Sequence, residues 1–302
     1  MTKISAWLYA ARLRTLPLSI SGVVMGTALA NLYGKSDLLI FFLALLTTIG
    51  FQIISNFAND YGDGVKGTDN EDRIGPKRAL QSGLLTSREL KQGIAVATVV
   101  SLLLVITVIY RAFGSENIAL MLLFLILGIF SIFAAVKYTV GKSAYGYKGL
   151  GDLFVFMFFG LLAVLGSMFL YTKYITVTAL LPAVAIGALS AGVLNLNNLR
   201  DFESDKKSQK NTLVVKLGYV KGKRYHFTLL IVAFITMLLF TLQHAREILQ
   251  FLPLLAFIPI GIHFINVYHI KKPSSFDPEL KKLALSTFLL AVLTYISYNK
   301  FL

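Results

Sequence analysis

Three oxygen-bearing side chains near the end of an apolar stretch stand where a helix would align them. Asn56, Asp60 and Asp63 occupy positions i, i+4 and i+7, so their amide and carboxylate groups would share one helical face. Carboxylates held this close resist ionisation unless a cation neutralises them. Mg²⁺ binds carboxylate and amide oxygens and leaves coordination positions open for substrate phosphates. The spacing therefore predicts a magnesium site able to accept a diphosphate.

A second cluster of the same kind follows later in the chain. Asn197, Asp201 and Asp205 occupy positions i, i+4 and i+8, and we predict that they too share one helical face. Both clusters begin with an Asn that is followed four residues later by an Asp. Acidic residues are unfavourable near a helix C-terminus, so helix stability does not explain two matched clusters. We expect the clusters to face each other and to hold metal ions that bind one diphosphate between them.

Basic and amide side chains lie beside both clusters and are candidates for contacts with phosphate oxygens. Lys and Arg donate charge-assisted hydrogen bonds to such oxygens. An excess of Lys and Arg at the cytoplasmic surface of a membrane would put many of them in the same places without any substrate. Both interpretations stay open for each basic residue. The candidate substrate-binding residues are Arg14, Lys77, Arg78, Asn198, Arg200 and Lys210.

The segment 137–152 has the composition of a structured loop. It contains four glycines, three tyrosines and three lysines. The ring of Tyr138 would either stabilise a carbocation through cation–π attraction or lie at the membrane interface, and both interpretations stay open. For Tyr145 and Tyr147 the interfacial position is favoured.

The composition of the whole chain is that of a membrane protein. Hydrophobic residues make up 56% of the chain and charged residues 15%, compared with about 25% charged residues in soluble domains. Nine apolar stretches approach the roughly 20 residues that a spanning helix needs. We therefore predict an all-α, polytopic membrane protein that forms one domain over residues 1–302. The predicted spans are 16–34, 37–59, 92–110, 117–136, 153–171, 175–198, 227–243, 248–268 and 283–299.

The distribution of positive charge predicts the orientation of the spans. With a cytoplasmic N-terminus, 24 of the 29 Lys and Arg residues fall on the inner side of the membrane. This asymmetry follows the positive-inside rule and puts both acidic clusters at the cytoplasmic face. It also accounts for the net charge of +14, so we predict no binding to nucleic acid.

The residue types that are missing narrow the chemistry further. The chain contains no cysteine, which excludes a Cys-ligated zinc site, an iron–sulfur centre and a thiol nucleophile. Its four histidines have no spacing typical of metal ligands. Oxygen ligands and acid–base groups remain.

With these motifs, the sequence resembles the UbiA-type superfamily of intramembrane prenyltransferases over nearly its whole length. The two acidic clusters are specific only to the superfamily. Asp-Arg-Ile-Gly-Pro at 72–76 and Tyr-Gly-Tyr-Lys-Gly-Leu-Gly at 145–151 resemble the branch whose acceptor is 1,4-dihydroxy-2-naphthoate. Gln209, where the family usually has Gly, and Ser143-Ala144, where Pro is common, depart from the family pattern and bear on loop geometry.

The resemblance implies nine helices bundled around a central cavity, in a bacterial inner membrane. The implied substrates are a polyprenyl diphosphate and 1,4-dihydroxy-2-naphthoate. The implied reaction is prenyl transfer with loss of the ring carboxylate, which gives demethylmenaquinol. No oligomeric state is implied.

The resemblance also implies Mg²⁺ as the cofactor and assigns roles to individual residues. On this basis, each acidic cluster would hold one metal ion, and both ions would bind the diphosphate. The metal ligands would be Asn56, Asp60 and Asp63 in the first cluster and Asn197, Asp201 and Asp205 in the second. The catalytic residues would be Asp69, Arg73, Lys142 and Tyr138.

Other functions fit parts of the pattern. The closest is a different reaction of the same superfamily, such as prenylation of 4-hydroxybenzoate or farnesylation of haem. A transporter would line a path across the bilayer with Asn and Asp, but almost every acidic residue lies at the inner boundary and none in mid-span. A non-catalytic scaffold would leave the two matched clusters unexplained.

Overall fold

The computed structural model describes residues 2–71 and 74–299, and the regular structure of these residues is helical throughout. Within them, nine helical segments are long and apolar enough to cross a membrane, which confirms the predicted all-α, polytopic fold. Most of these segments extend a few residues beyond the predicted spans, because helical hydrogen bonding continues after the apolar stretch stops. They are Lys3–Leu32, Leu38–Val65, Ser87–Phe113, Ile118–Lys137, Gly151–Thr172, Val177–Arg200, Tyr219–His244, Ile248–His269 and Pro273–Tyr298.

Several of these segments are built from shorter pieces. The fifth contains a π-helical stretch, Phe156–Leu165, a feature that often occurs at functional sites. Short 3₁₀ pieces lead into the helices of the sixth, eighth and ninth segments. The helices, labelled in chain order, are α1 (Lys3–Ala11), α2 (Leu16–Leu32), α3 (Leu38–Val65), α4 (Ser87–Phe113), α5 (Ile118–Lys137), α6 (Gly151–Thr172), α7 (Leu180–Arg200), α8 (Phe202–Lys207), α9 (Leu213–Leu217), α10 (Tyr219–His244), α11 (Phe257–His269) and α12 (Asp277–Tyr298).

The second acidic cluster spans the junction between α7 and α8. α7 ends at Arg200, and Asp201 has φ −92° and ψ 10°, which is the bridge region between helix and extended backbone. The Asp201 carbonyl accepts the backbone N–H of Asp205 at 2.8 Å and the Ser204 hydroxyl at 2.9 Å. The Asp201 N–H also bonds the Asn197 carbonyl at 3.0 Å, so the i, i+4 hydrogen-bond pattern continues across the junction, and the shared face of Asn197, Asp201 and Asp205 stays a prediction.

Small residues let the helices beside α6 approach closely. A Cβ atom built on Gly22 of α2 would lie 2.5 Å from the Ala163 Cβ of α6. On the other side of α6, a Cβ on Gly160 would lie 2.5 Å from the Gly187 Cα of α7. Close packing through small residues stabilises helix pairs in a bilayer, where apolar burial contributes little. These contacts hold the π-helical stretch of α6 between α2 and α7.

A row of buried ionisable side chains joins α10, α11 and α12. The Nε2 atoms of His226 and His263 lie 3.0 Å apart, and His263 Nδ1 lies 2.7 Å from Glu279 Oε2. If Glu279 is ionised, His263 donates to it through Nδ1–H and accepts from His226 through Nε2. Asn266 and Lys282 donate to the other Glu279 oxygen at 3.1 and 2.6 Å. Sequence spacing could not reveal this row because its members come from three helices.

Replacing Glu279 with Leu should destabilise the protein. The substitution leaves the N–H groups of His263 and Asn266 without their acceptor, which costs about 1–3 kcal/mol of unfolding free energy for a buried donor. The measurement is the midpoint of thermal loss of monodisperse protein in detergent. Glu116→Gln, at an exposed position, is the control and should leave the midpoint unchanged. Equal midpoints for Glu279→Leu and the unmodified protein would contradict the prediction.

Candidate functional site

A cavity of about 350 Å³ lies between α2, α3, α4, α5, α6 and α7, in agreement with the expected central cavity. From α3 it takes side chains between Ala44 and Asn59, a separation of about 22 Å along a helix that rises 1.5 Å per residue. Its wall is chiefly apolar. The cavity therefore has the shape and chemistry to hold a long hydrocarbon chain parallel to the helices.

Polar side chains gather at the Asn59 end of the cavity. Ser55 and Asn59 of α3 line this end together with Tyr138 and Tyr145. The Tyr145 ring stacks on Phe154 with centroids 4.0 Å apart, and its hydroxyl donates to a backbone carbonyl of α5 at 2.9 Å. Tyr145 is thus part of the cavity wall, and its position at the membrane interface stays a prediction.

Tyr138 closes the polar end of the cavity beside α6. Its ring meets Tyr145 edge-on, with centroids 5.3 Å apart. Burial, followed by the negative charges of Asp152 and Asp63, raises the pKa of Tyr138 well above its ordinary value. The phenol therefore stays neutral, and its electron-rich ring lines the polar end of the cavity.

Asp63 lies at the centre of the first acidic cluster, on α3 as predicted. The Tyr147 hydroxyl donates to Asp63 Oδ1 at 2.7 Å. Lys210 Nζ lies 3.4 Å and Arg78 Nη2 3.8 Å from Asp63 Oδ2. Burial and the Asp63 charge raise the pKa of Tyr147, so its hydroxyl remains a donor. Tyr147 therefore belongs to this cluster, and its position at the membrane interface stays a prediction too.

The other two members of the first cluster contact different segments. Asp60 accepts the backbone N–H groups of Ala79 and Leu80 at 3.0 and 3.2 Å, which anchors the turn before α4. Asn56 donates to the Ala11 carbonyl of α1 at 2.8 Å. Each carboxylate or amide oxygen has two lone pairs, so one hydrogen bond leaves capacity for a second partner.

The second cluster is organised by Arg200. Its guanidinium donates to both carboxylate oxygens of Asp201 at 2.8 and 2.7 Å and to Asn197 Oδ1 at 2.7 Å. It also donates to Asp277, at the start of α12. The Arg200 side chain is only 4% exposed, so its donors are directed to protein groups. Its role as a substrate ligand stays a prediction.

Lys210 lies where the two clusters meet. Burial lowers the pKa of Lys210, but the carboxylates of Asp63, Asp205 and Asp69 raise it, and the net shift is upward. Asp63 and Asp69 belong to the first motif and Asp205 to the second. The backbone N–H of Lys210 also donates a hydrogen bond of 2.8 Å to the Asp205 carbonyl. This lysine therefore connects the two motifs, which were expected to face each other.

The remaining predicted site residues have varied surroundings. The Arg78 Nε atom lies 3.5 Å from Asp69 Oδ2, so these two form an ion pair beside Asp63. Asn198 is buried on α7. Arg73 lies outside the described residues. The side chains of Arg14, Lys77 and Lys142 are exposed.

The oxygen-rich donor set fits a hard divalent cation. Among the residues that the structure describes, no group of three or more His, Asp or Glu side chains is arranged to hold a metal ion as it stands. The Lys210 ammonium group instead lies 3.4 Å from Asp63 Oδ2, where the charges of Asp63, Asp69 and Asp205 favour a cation. Carboxylate and amide oxygens are the ligands that Mg²⁺ prefers.

Sequence reasoning missed several polar residues of the site. Ser55 and Asn59 line the cavity, and the Thr139 hydroxyl lies 3.2 Å from Asn59 Oδ1. The signal was present in part, because two polar residues four positions apart within an apolar helix point in one direction. The contact of Thr68 with Tyr147, at 2.6 Å between hydroxyl oxygens, had no such signal.

Comparison with known proteins gives a consistent result. The UbiA prenyltransferase family model matches residues 19–290. A Haemophilus influenzae protein named 1,4-dihydroxy-2-naphthoate octaprenyltransferase is 44% identical over 294 residues, covering 96% of this chain and 94% of the relative. An Escherichia coli protein of the same name is 45% identical over 256 residues, covering 85% of this chain and 82% of the relative.

A solved structure supports the fold independently. The UbiA homolog from Archaeoglobus fulgidus bound to GPP and Mg²⁺ superposes with a TM-score of 0.69, at 15% identity, over 97% of this chain and 99% of that one. At this identity the likeness concerns the fold. The family model and the two close relatives cover most of the chain, and the protein belongs to the UbiA prenyltransferase family.

Proposed function

We propose that this protein transfers a polyprenyl group from an allylic diphosphate to 1,4-dihydroxy-2-naphthoate with loss of carbon dioxide, which gives demethylmenaquinol. The observation that carries the proposal is a long apolar cavity whose polar end includes Tyr138, a residue close enough to both acidic clusters for the charges of Asp63 and Asp205 to act on its hydroxyl. The names of relatives 44% and 45% identical to this chain support the naphthoate acceptor and the octaprenyl donor. The whole chain, residues 1–302, forms the catalytic domain.

The cavity and the clusters divide the binding of the donor between them. The prenyl chain lies along α3, toward Ala44, and the diphosphate lies at the polar end near Asp63. Asn56, Asp60 and Asp63 hold one Mg²⁺, and Asn197, Asp201 and Asp205 the other. When bound, Mg²⁺ neutralises the diphosphate as a leaving group. Further hydrogen-bond donors to the diphosphate oxygens come from basic and amide side chains. They are Arg14, Arg73, Lys77, Arg78, Lys142, Asn198, Arg200 and Lys210.

Residues at the polar end position the acceptor and the allylic carbon. The Tyr138 ring stabilises positive charge on that carbon as its bond to the diphosphate oxygen breaks. The naphthoate carbon that bears the carboxylate donates an electron pair to form the new carbon–carbon bond. The bond to the carboxylate then breaks, its electrons restore the aromatic ring, and carbon dioxide leaves. Asp69 acts on a ring hydroxyl of the naphthoate, either by accepting its hydrogen bond or by exchanging a proton with it.

The proposed location is the bacterial inner membrane, with the N-terminus and the active-site loops in the cytoplasm. The excess of Lys and Arg on the loops that carry both clusters supports this orientation. A polyprenyl chain would then stay in hydrocarbon while its diphosphate reaches the aqueous side.

The test uses purified protein in lipid nanodiscs with octaprenyl diphosphate, an aromatic acceptor and Mg²⁺. With 1,4-dihydroxy-2-naphthoate, mass spectrometry should detect the prenylated quinol and carbon dioxide in equal amounts, and EDTA should abolish both. Turnover of 4-hydroxybenzoate with no turnover of the naphthoate would contradict the choice of acceptor. A lack of product with either acceptor would contradict the proposed reaction.

A further inference from the structure

Resting on the proposed function, we propose that the two carboxylate oxygens of Asp63 have separate tasks. Tyr147 fixes Oδ1 permanently, whereas Lys210 is a temporary counter-ion for Oδ2. A divalent cation displaces Lys210 from Oδ2, and the released ammonium group then binds the diphosphate. Tyr147 is thus a positioning residue for the metal ligand, and Lys210 exchanges one anionic partner for another.

The hydrogen-bond pattern shows why Oδ1 is fixed. Tyr147 has one hydroxyl hydrogen, which it donates to Asp63 Oδ1 at 2.7 Å. The Thr68 hydroxyl, 2.6 Å from the Tyr147 oxygen, must therefore be the donor in that second contact. The Thr68 backbone N–H in turn bonds the Asp63 carbonyl at 3.0 Å. Asp63, Tyr147 and Thr68 form a closed set of hydrogen bonds that sets the carboxylate's orientation.

The surroundings of Oδ2 differ, because its ion-pair contacts within the described part of the chain are with two cationic side chains. Lys210 Nζ lies 3.4 Å away and Arg78 Nη2 3.8 Å away. Charge-assisted hydrogen bonds are usually about 2.7–2.9 Å long. Both contacts are therefore loose, in contrast to the short bond at Oδ1. The two cationic side chains neutralise the negative charge on Oδ2 but do not fix its position.

A neighbouring lysine shows what a fixed ammonium group looks like in the same site. Lys66 donates to the Thr139 carbonyl at 2.7 Å and lies 3.9 Å from the centre of the Tyr147 ring. Lys210 lies over the same ring at 5.3 Å. Lys66 is anchored by a short bond to backbone, so of these two lysines Lys210 is the one able to leave.

Exchange of Lys210 for a metal ion follows from the charges around Asp63. A buried carboxylate without a cation is strongly unfavourable, so Asp63 needs Lys210 when no metal ion is bound. A divalent ion at Oδ2 carries more charge than the ammonium group and repels it. Lys210 is 12% exposed and lies between the two acidic motifs, next to the place proposed for the diphosphate. An arriving diphosphate supplies the anionic partner that Lys210 loses.

The test is binding of Mn²⁺, measured by electron paramagnetic resonance in nanodiscs without diphosphate. Lys210→Met should bind Mn²⁺ about tenfold more tightly than the unmodified protein, because the competing cation is gone. Tyr147→Phe keeps the ring but loses the hydroxyl, and should bind Mn²⁺ about tenfold more weakly, as expected when a residue that orients a metal ligand is changed. With Mn²⁺ bound, Lys210→Met should also bind pyrophosphate about tenfold more weakly.

Two matched controls separate these effects from general damage. Lys206→Met removes an exposed lysine that lies four residues before Lys210 in the sequence. Tyr145→Phe removes a hydroxyl that donates a hydrogen bond to a backbone carbonyl of α5. Both should retain the unmodified Mn²⁺ affinity. Lys210→Gln replaces Lys210→Met if the latter is not monodisperse. Thermal midpoints with EDTA should fall for Lys210→Met, whereas midpoints with Mn²⁺ and pyrophosphate should not.

The outcomes distinguish this inference from the proposed function. Unchanged or weaker Mn²⁺ binding in the Lys210 variant would overturn the exchange, while metal-dependent prenyl transfer by the unmodified protein would still support the proposed reaction. If the unmodified protein bound no Mn²⁺ and transferred no prenyl group, both would fail. Tighter Mn²⁺ binding by Lys210→Met and weaker binding by Tyr147→Phe, with unchanged affinity in both controls, would support the exchange.

Discussion

Asp63→Asn should reduce prenyl transfer by about 10²–10³-fold, the size of loss seen when a group that stabilises developing charge is removed. The substitution keeps the shape of the side chain but removes its negative charge. It deprives the proposed metal ion of an anionic ligand and leaves Lys210 and Arg78, at 3.4 and 3.8 Å, without that counter-ion. The measurement is turnover in nanodiscs at saturating Mg²⁺ with both substrates.

Glu203→Gln is the control for this substitution, because it removes an exposed carboxylate of α8 beside the second cluster. It should retain turnover within about twofold, since exposed charges contribute little. Turnover of Asp63→Asn close to that of the control would contradict the proposed metal site.

Asp63 is a cleaner test than the other carboxylates of the clusters. Asp60 also holds the backbone of Ala79 and Leu80, and Asp201 also pairs with the buried Arg200. We expect Asp60→Ala and Asp201→Ala to lose activity as well. Part of that loss would come from local structure, because removing one partner leaves buried donors unpaired.

Ala44→Phe should select against long donors. Ala44 lines the end of the cavity farthest from Asn59, about 22 Å away by helical rise, and a phenyl ring there would occupy the space proposed for the distal prenyl units. Turnover of octaprenyl diphosphate should fall about 10–200-fold, the range for a misfit of 1–3 kcal/mol in an apolar pocket. Turnover of geranyl diphosphate, whose chain ends before Ala44, should change little.

The matched control lies two residues along the same helix. Leu46 is 49% exposed on the outside of the bundle, so Leu46→Phe adds a similar ring facing away from the cavity. It should leave the ratio of octaprenyl to geranyl turnover unchanged. An unchanged ratio in Ala44→Phe would show that the prenyl chain leaves the cavity before it reaches this position.

The amino-acid sequence alone determined the features that depend on neighbouring residues. Apolar length predicted the nine spans, because a helix satisfies its own backbone in hydrocarbon and needs no other segment to do so. The i, i+4 and i+7 spacing predicted that Asn56, Asp60 and Asp63 lie on one helix, and α3 carries all three. The family motifs at both clusters identified the UbiA prenyltransferase family.

Tertiary structure decided which partner each polar group has. The helical face shared by Asn56, Asp60 and Asp63 meets three different segments: Asn56 bonds α1, Asp60 bonds the turn before α4, and Asp63 contacts Lys210 and Tyr147. The row from His226 to Glu279 also depends on contacts between distant segments. A buried donor or charge must be satisfied by whatever group the fold brings near it, and sequence spacing does not report that group.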